Sequence, residues 1–121
     1  MQDQALSNAD RKLLDLVWAA QPVSSPELCR RAEQALGWKR TTTYTVLKRL
    51  IGKGYLKNED ATVTALVPRE EVQEADGQAV LSRSFGGSLP SFLAAFLRSG
   101  SVSDQEAAEL ERMLADYRQG H

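Results

Sequence analysis

Residues 34–58 carry six basic side chains (Lys39, Arg40, Lys48, Arg49, Lys53, Lys57) and no acidic one. Within that window Val46, Leu47, Leu50 and Ile51 form an apolar stripe at helical spacing. The other surface of the same helix presents Arg40, Thr41, Thr42, Tyr44, Thr45, Lys48 and Arg49, with Thr43 nearer the core side. Fixed positive charge beside short hydroxyls and one aromatic suits a helix that lies in a DNA groove. It can touch phosphates and base edges together. A helix meant only for a solvated surface more often mixes Glu with its Lys. The plainer reading of a basic run is such a solvated face, so the neighbouring segments have to decide.

Upstream, Ser7 caps a first helix, with Asp10 three residues on in a shortened capping box. Leu14, Val17 and Trp18 make its apolar face, Leu13 and Ala20 lie at the margin, and Gln21-Pro22 ends it. A second helix opens at Ser24-Ser25-Pro26-Glu27, where either serine can cap and proline suits the first turn. Leu28, Ala32 and Ala35 follow at helical spacing, and Gly37 is free to take positive φ. The basic helix comes next and stops at Gly52-Lys53-Gly54.

Residues 58–61 then read as a turn, and residues 62–67 as a β-branched strand ending at Pro68. Three helices with a tight second-to-third turn, then a hairpin, make a winged helix-turn-helix. The predicted class is mainly α with a small β-hairpin. Residues 1–70 form the DNA-binding domain and residues 71–121 a helical dimerisation arm.

The arm has three expected helices. The first spans residues 69–83, with Gly77 as a weak point, and a break follows at Ser84-Phe85-Gly86-Gly87-Ser88. In the second, Leu89, Phe92, Leu93, Phe96 and Leu97 recur at helical spacing. Ser103 and Glu106 form the capping box of the third, whose stripe is Ala107, Leu110, Leu114 and Tyr117 with Met113 beside it. Two short amphipathic helices without a large partner in the chain would leave an exposed apolar patch, the mark of an interface. Folding back onto the winged domain is one solution. Pairing with a second chain is the other, and a C2 homodimer would offer two recognition helices to two half-sites.

Composition bounds the rest. The chain has 121 residues and a net charge of −1, so only the distribution of charge, not its sum, speaks for nucleic acid. The single cysteine, Cys29, excludes an internal disulfide and reads as a small buried thiol. No long apolar run suggests a signal peptide or membrane insertion, and a cytoplasmic location is expected. The one histidine is His121, at the last position, so no catalytic triad is expected. No metal and no cofactor are expected either, since no Cys/His cluster or phosphate loop occurs. The chain does not read as an enzyme.

Leu6-Ser7-Asn8-Ala9-Asp10 through Val17-Trp18 and the Leu47-Lys48-Arg49-Leu50-Ile51-Gly52-Lys53-Gly54 core resemble the penicillinase-repressor family of transcriptional regulators. So do Phe85-Gly86-Gly87-Ser88-Leu89 and Ser103-Asp104-Gln105-Glu106 in the arm. The resemblance implies an N-terminal winged domain, a dimerisation arm, a palindromic double-stranded DNA operator and repression. In lactam-responsive members a membrane sensor protease triggers a cut between Asn and Phe. The matching bond here is Ala95-Phe96, which keeps only the phenylalanine. Copper-responsive members carry a cysteine-rich C-terminal motif that this chain lacks.

Further departures are Lys39-Arg40 in place of the family's frequent Ser-Pro, Thr41 for a common Lys, and Tyr44 for a Gln-like residue. The wing carries Glu59 and Asp60 where a basic residue is usual, and is expected to add little to DNA binding.

Phosphate contacts are thus expected from Lys39, Arg40, Lys48, Arg49 and Lys53. Base contacts are expected from Thr41, Thr42, Tyr44 and Thr45, with Arg49 able to do either. The dimer interface is expected from Leu89, Phe92, Leu93, Phe96, Leu97, Leu110, Met113, Leu114 and Tyr117. The rival class is a winged-helix module that binds protein and not DNA, since fold alone does not set function. A third reading keeps DNA binding and replaces proteolysis with a small-molecule signal in the arm.

Overall fold

The computed structural model describes residues 5–120; His121 lies outside them. Helix α1 (Asn8–Ala20) starts from a reciprocal cap. The Asp10 N–H donates to Ser7 Oγ at 3.1 Å, and the Ser7 N–H donates back to Asp10 Oδ2 at 3.0 Å. Strand β1 (Val23–Ser24) follows, then α2 (Ser25–Leu36), which Ser24 caps through the Glu27 N–H. Gly37 ends α2 in the left-handed region at φ 70°, as a C-terminal turn there requires. Helix α3 (Arg40–Gly52) carries the basic segment. Strands β2 (Leu56–Glu59) and β3 (Thr62–Ala65) form the hairpin. Three helices complete the chain: α4 (Arg69–Ser84), α5 (Leu89–Ser99) and α6 (Asp104–Gly120). The fold is therefore mainly helical with one small antiparallel sheet, consistent with a winged helix followed by C-terminal helices.

Two compact units divide the chain, one ending at Glu74 and the other beginning at Ala75. The first owns the core: Leu13, Leu14, Val17, Leu28, Val46, Leu47, Leu50, Tyr55, Leu56 and Val63 are buried together. The second contains no buried side chain among its described residues.

Several local expectations shift. Leu13 is fully buried beside Val17 and Leu14, inside the α1 face and not at its margin. Ile51 leaves the α3 stripe and is 37% exposed, because it lies about a quarter turn from the centre of the buried set Thr43, Val46, Leu47 and Leu50. Ala35 is exposed. The turn is narrower than residues 58–61, since β2 continues to Glu59 and only Asp60 and Ala61 adopt positive φ (52° and 59°). Helix α4 passes through Gly77 without a break. The two-residue β1 has no counterpart in the sequence reading, because two residues carry no periodicity. It exists only through its partner: Val23 pairs with Val63 and Ser24 with Thr62.

Candidate nucleic-acid interface

Helix α3 buries Thr43, Val46, Leu47 and Leu50 and turns the rest outward. At 3.6 residues per turn, Thr41, Thr45, Lys48 and Gly52 fall opposite that buried stripe. Arg40, Tyr44 and Ile51 lie on one flank, and Thr42, Arg49 and Lys53 on the other. Thr43, read as nearer the core side, is fully buried and donates its hydroxyl to the Lys39 carbonyl at 3.3 Å. Thr45 donates its own to the Thr41 carbonyl at 2.9 Å, so at the exposed pole it offers an acceptor.

The cations divide into two groups. Lys39, Arg40 and Lys48 are exposed and make no ion pair among the described residues. No acidic residue occupies the first turn of α3, and no side chain caps it, so its positive end adds to theirs. Arg40 also lines a cleft of about 360 Å³ with Pro26, Cys29, Arg30 and Glu33, beside the start of the helix.

Arg49 and Lys53 instead converge on Asp10, whose side chain has no exposed surface. Arg49 donates Nε to Oδ1 at 2.9 Å, and its Nη2 lies 2.8 Å from the same oxygen as an ion pair. Lys53 Nζ lies 2.8 Å from Oδ2 and donates also to the Ala5 carbonyl at 2.8 Å. Burial opposes the charge on Asp10. The hydrogen bonds from Lys53, the Ser7 N–H and Arg49 outweigh it and hold the carboxyl at about 2, below its usual 3.8. Sequence reasoning placed Asp10 only in the helix cap. Its signal for a wider role was a carboxylate three residues past a cap on a helix with an otherwise apolar inner face, but nothing local names its partners.

The wing is short. Ser24 pairs with Thr62, so β1 flanks β3 to the residue next to the turn, and the Ser25 N–H donates to the Ala61 carbonyl at 2.8 Å. Lys57 pairs with Glu59 at 3.1 Å, which neutralises part of the hairpin, and Asp60 stays exposed at its tip. On α2, Glu27 accepts from Arg30 and Arg31; the Arg30 hydrogen bond is the main cause of its lowered pKa.

In the second unit, Leu89, Phe96 and Leu97 on α5 and Met113, Leu114 and Tyr117 on α6 are all more than two-fifths exposed. Phe92, Leu93 and Leu110 are half-buried. Phe92 stands between two rings, edge-on to Phe85 at 5.2 Å and to Phe96 at 5.0 Å. Ala95-Phe96 lies inside α5, not in a loop. Ser103 and Glu106 make the expected capping box, with the Glu106 N–H donating to Ser103 Oγ at 3.0 Å and the Ser103 N–H to Glu106 Oε1 at 3.1 Å.

Among the described residues, no group of three His, Cys, Asp or Glu side chains could hold a metal ion. No helix is long and apolar enough to cross a membrane.

Two relatives match most of the chain. One is the penicillinase repressor of Bacillus licheniformis, 24% identical over 117 residues that cover 93% of this chain and 91% of that protein. The other is an uncharacterized 16.5 kDa protein of Latilactobacillus sakei, 26% identical over 113 residues, or 90% of this chain and 77% of that one. The penicillinase repressor family itself matches residues 6–116, and with that span added to a winged fold and an acid-free third helix, the chain belongs to the penicillinase-repressor family.

Proposed function

We propose that this protein is a DNA-binding transcriptional repressor that acts in the cytoplasm as a homodimer on a palindromic operator. The carrying observation is the outer surface of α3, where Lys39, Arg40 and Lys48 make no ion pair among the described residues and surround Thr41, Thr42, Tyr44 and Thr45. Lysine and arginine there neutralise phosphates, and the hydroxyls and the Tyr44 ring meet base edges in the major groove. The wing, acidic at its tip, stays out of the recognition. Family membership supports the repressor reading.

The homodimer rests on the second unit. A set of helices with no buried side chain among its described residues cannot offset its own ordering entropy, and its exposed Leu89, Phe96, Leu97, Met113 and Leu114 supply a surface for a second copy. Derepression by a membrane sensor protease cutting Ala95-Phe96 is the finest part of the proposal. It would need α5 to unwind locally, because proteases bind extended chain and this bond is helical.

A gel-shift titration of the full chain against duplex DNA at two salt concentrations tests the core of this reading. Salt-dependent binding supports it, with log affinity falling linearly against log salt. Absence of binding to any duplex would favour the protein-binding winged module, for which the acidic Glu59 and Asp60 speak. Incubation with a candidate sensor protease, followed by mass analysis for a cut before Phe96, tests the signalling branch.

A further inference from the structure

We infer that Asp10 is a positioning residue for the DNA interface, holding the Arg49 guanidinium in the one orientation that presents it to a phosphate. The inference rests on the DNA-binding reading above. A guanidinium is planar, and its nitrogens point in fixed directions. Arg49 turns its Nε and Nη2 edge to Asp10 Oδ1, and Nη2 reaches Ser7 Oγ at 3.4 Å as well. Nη1 therefore projects away from the carboxylate. The side chain is 42% exposed, so a ligand can reach Arg49 although one edge of it is held by Asp10.

The second cation explains why this arrangement attracts an anion rather than repelling one. Lys53 is only 16% exposed and is held by Asp10 Oδ2 and the Ala5 carbonyl. It balances the Asp10 charge from inside, which leaves Arg49 with an unbalanced positive charge facing outward. Two cations meet one carboxylate, and the excess is on the exposed side. Lys53, read from sequence as a phosphate contact, serves here as the internal counter-charge.

Arg49 shares a flank of α3 with Thr42 and lies one step from Thr45 and Lys48 at the exposed pole. Its end faces the α1 cap, so the guanidinium bridges the recognition helix and the N-terminus of α1. A free arginine loses much rotamer freedom when it binds phosphate. One already clamped during folding has lost it beforehand, and binding is tighter for that reason.

The test is a double-mutant cycle on the full chain with a random-sequence duplex as probe. It compares wild type, Asp10→Asn, Arg49→Ala and the double variant, each shown folded by circular dichroism at the assay temperature. Asp10→Asn raises the net charge by one, so electrostatics alone would tighten DNA binding. Positioning predicts the opposite, a weakening of about tenfold, and that loss shrinks to within about twofold in the Arg49→Ala background. Equal or tighter binding by Asp10→Asn overturns the inference. The same loss with and without Arg49 also overturns it, since that is the signature of general destabilisation. Failure of the wild type to bind any duplex overturns the DNA-binding reading and this inference with it. Wild-type binding with an unaffected Asp10→Asn overturns this inference alone.

Discussion

Trp18 donates its indole N–H to the carbonyl of Val67 at 2.9 Å, across 49 positions of sequence. The bond joins the last turn of α1 to the segment leaving the hairpin, and Arg69 at the start of α4 stacks over the same ring at 5.4 Å. One side chain thus anchors the point where the chain leaves the winged core. Trp18→Phe keeps most of the apolar contact and removes the donor, leaving a carbonyl on buried Val67 without its partner. Urea unfolding should show a loss of about 1–3 kcal/mol.

Asp10 makes acid stability a test of the α1–α3 junction. Its folded pKa, about 2, is depressed below the ordinary 3.8. The stabilisation is therefore complete above about pH 4 and is lost as the pH falls toward 2. The shift corresponds to about 2 kcal/mol. Asp10→Asn should lower wild-type stability at pH 6 and flatten the pH dependence between 4 and 2. A variant whose unfolding curve still steepens with acid over that window would place the proton elsewhere.

The pole of α3 separates affinity from specificity. Lys48→Ala should weaken binding to operator and random duplex alike, and reduce the slope of log affinity against log salt by about one. Thr45→Ala and Tyr44→Ala should instead cost mainly operator binding, by about 1–3 kcal/mol each where a base contact is lost. Parallel losses on both DNAs for all three would remove this division of roles.

Phe96 is the most informative position in the second unit, since it is 41% exposed and meets Phe92 edge-on. Phe96→Asp puts a charge in the proposed seam between copies, where it has no partner. Sedimentation should show a shift from dimer to monomer, while the helicity of the first unit is retained. A dimer of unchanged strength would move the interface to another face.

Ala61 holds φ at 59° in the hairpin turn, a conformation that costs a residue with a Cβ roughly 1 kcal/mol or more. Ala61→Gly should raise stability by about 0.5–1 kcal/mol if relief of strain exceeds the added entropy of the unfolded chain. Thermal unfolding of the two forms compares them directly.

Local signals in the sequence determined the elements that depend on a few adjacent residues. Ser7, Ser24 and Ser103 mark helix starts because their hydroxyls can take an N–H only three residues away. Gly37 marks the α2–α3 turn because positive φ costs glycine little. The polar face of α3 was legible because its side-chain spacing follows the helical repeat. Tertiary structure decided what depends on distant partners. Strand β1 exists only beside β3, Leu13 is fully buried because other elements close over it, and Ile51 is turned out. Which cations of the basic stretch are tied to a carboxylate of the fold was decided in the same way. Lys39, Arg40, Lys48, Arg49 and Lys53 look alike in sequence, but a carboxylate 39 and 43 positions away binds the last two. Charge count and spacing cannot carry that information, because a buried Asp10 selects its partners by their position in the packed α1–α3 junction.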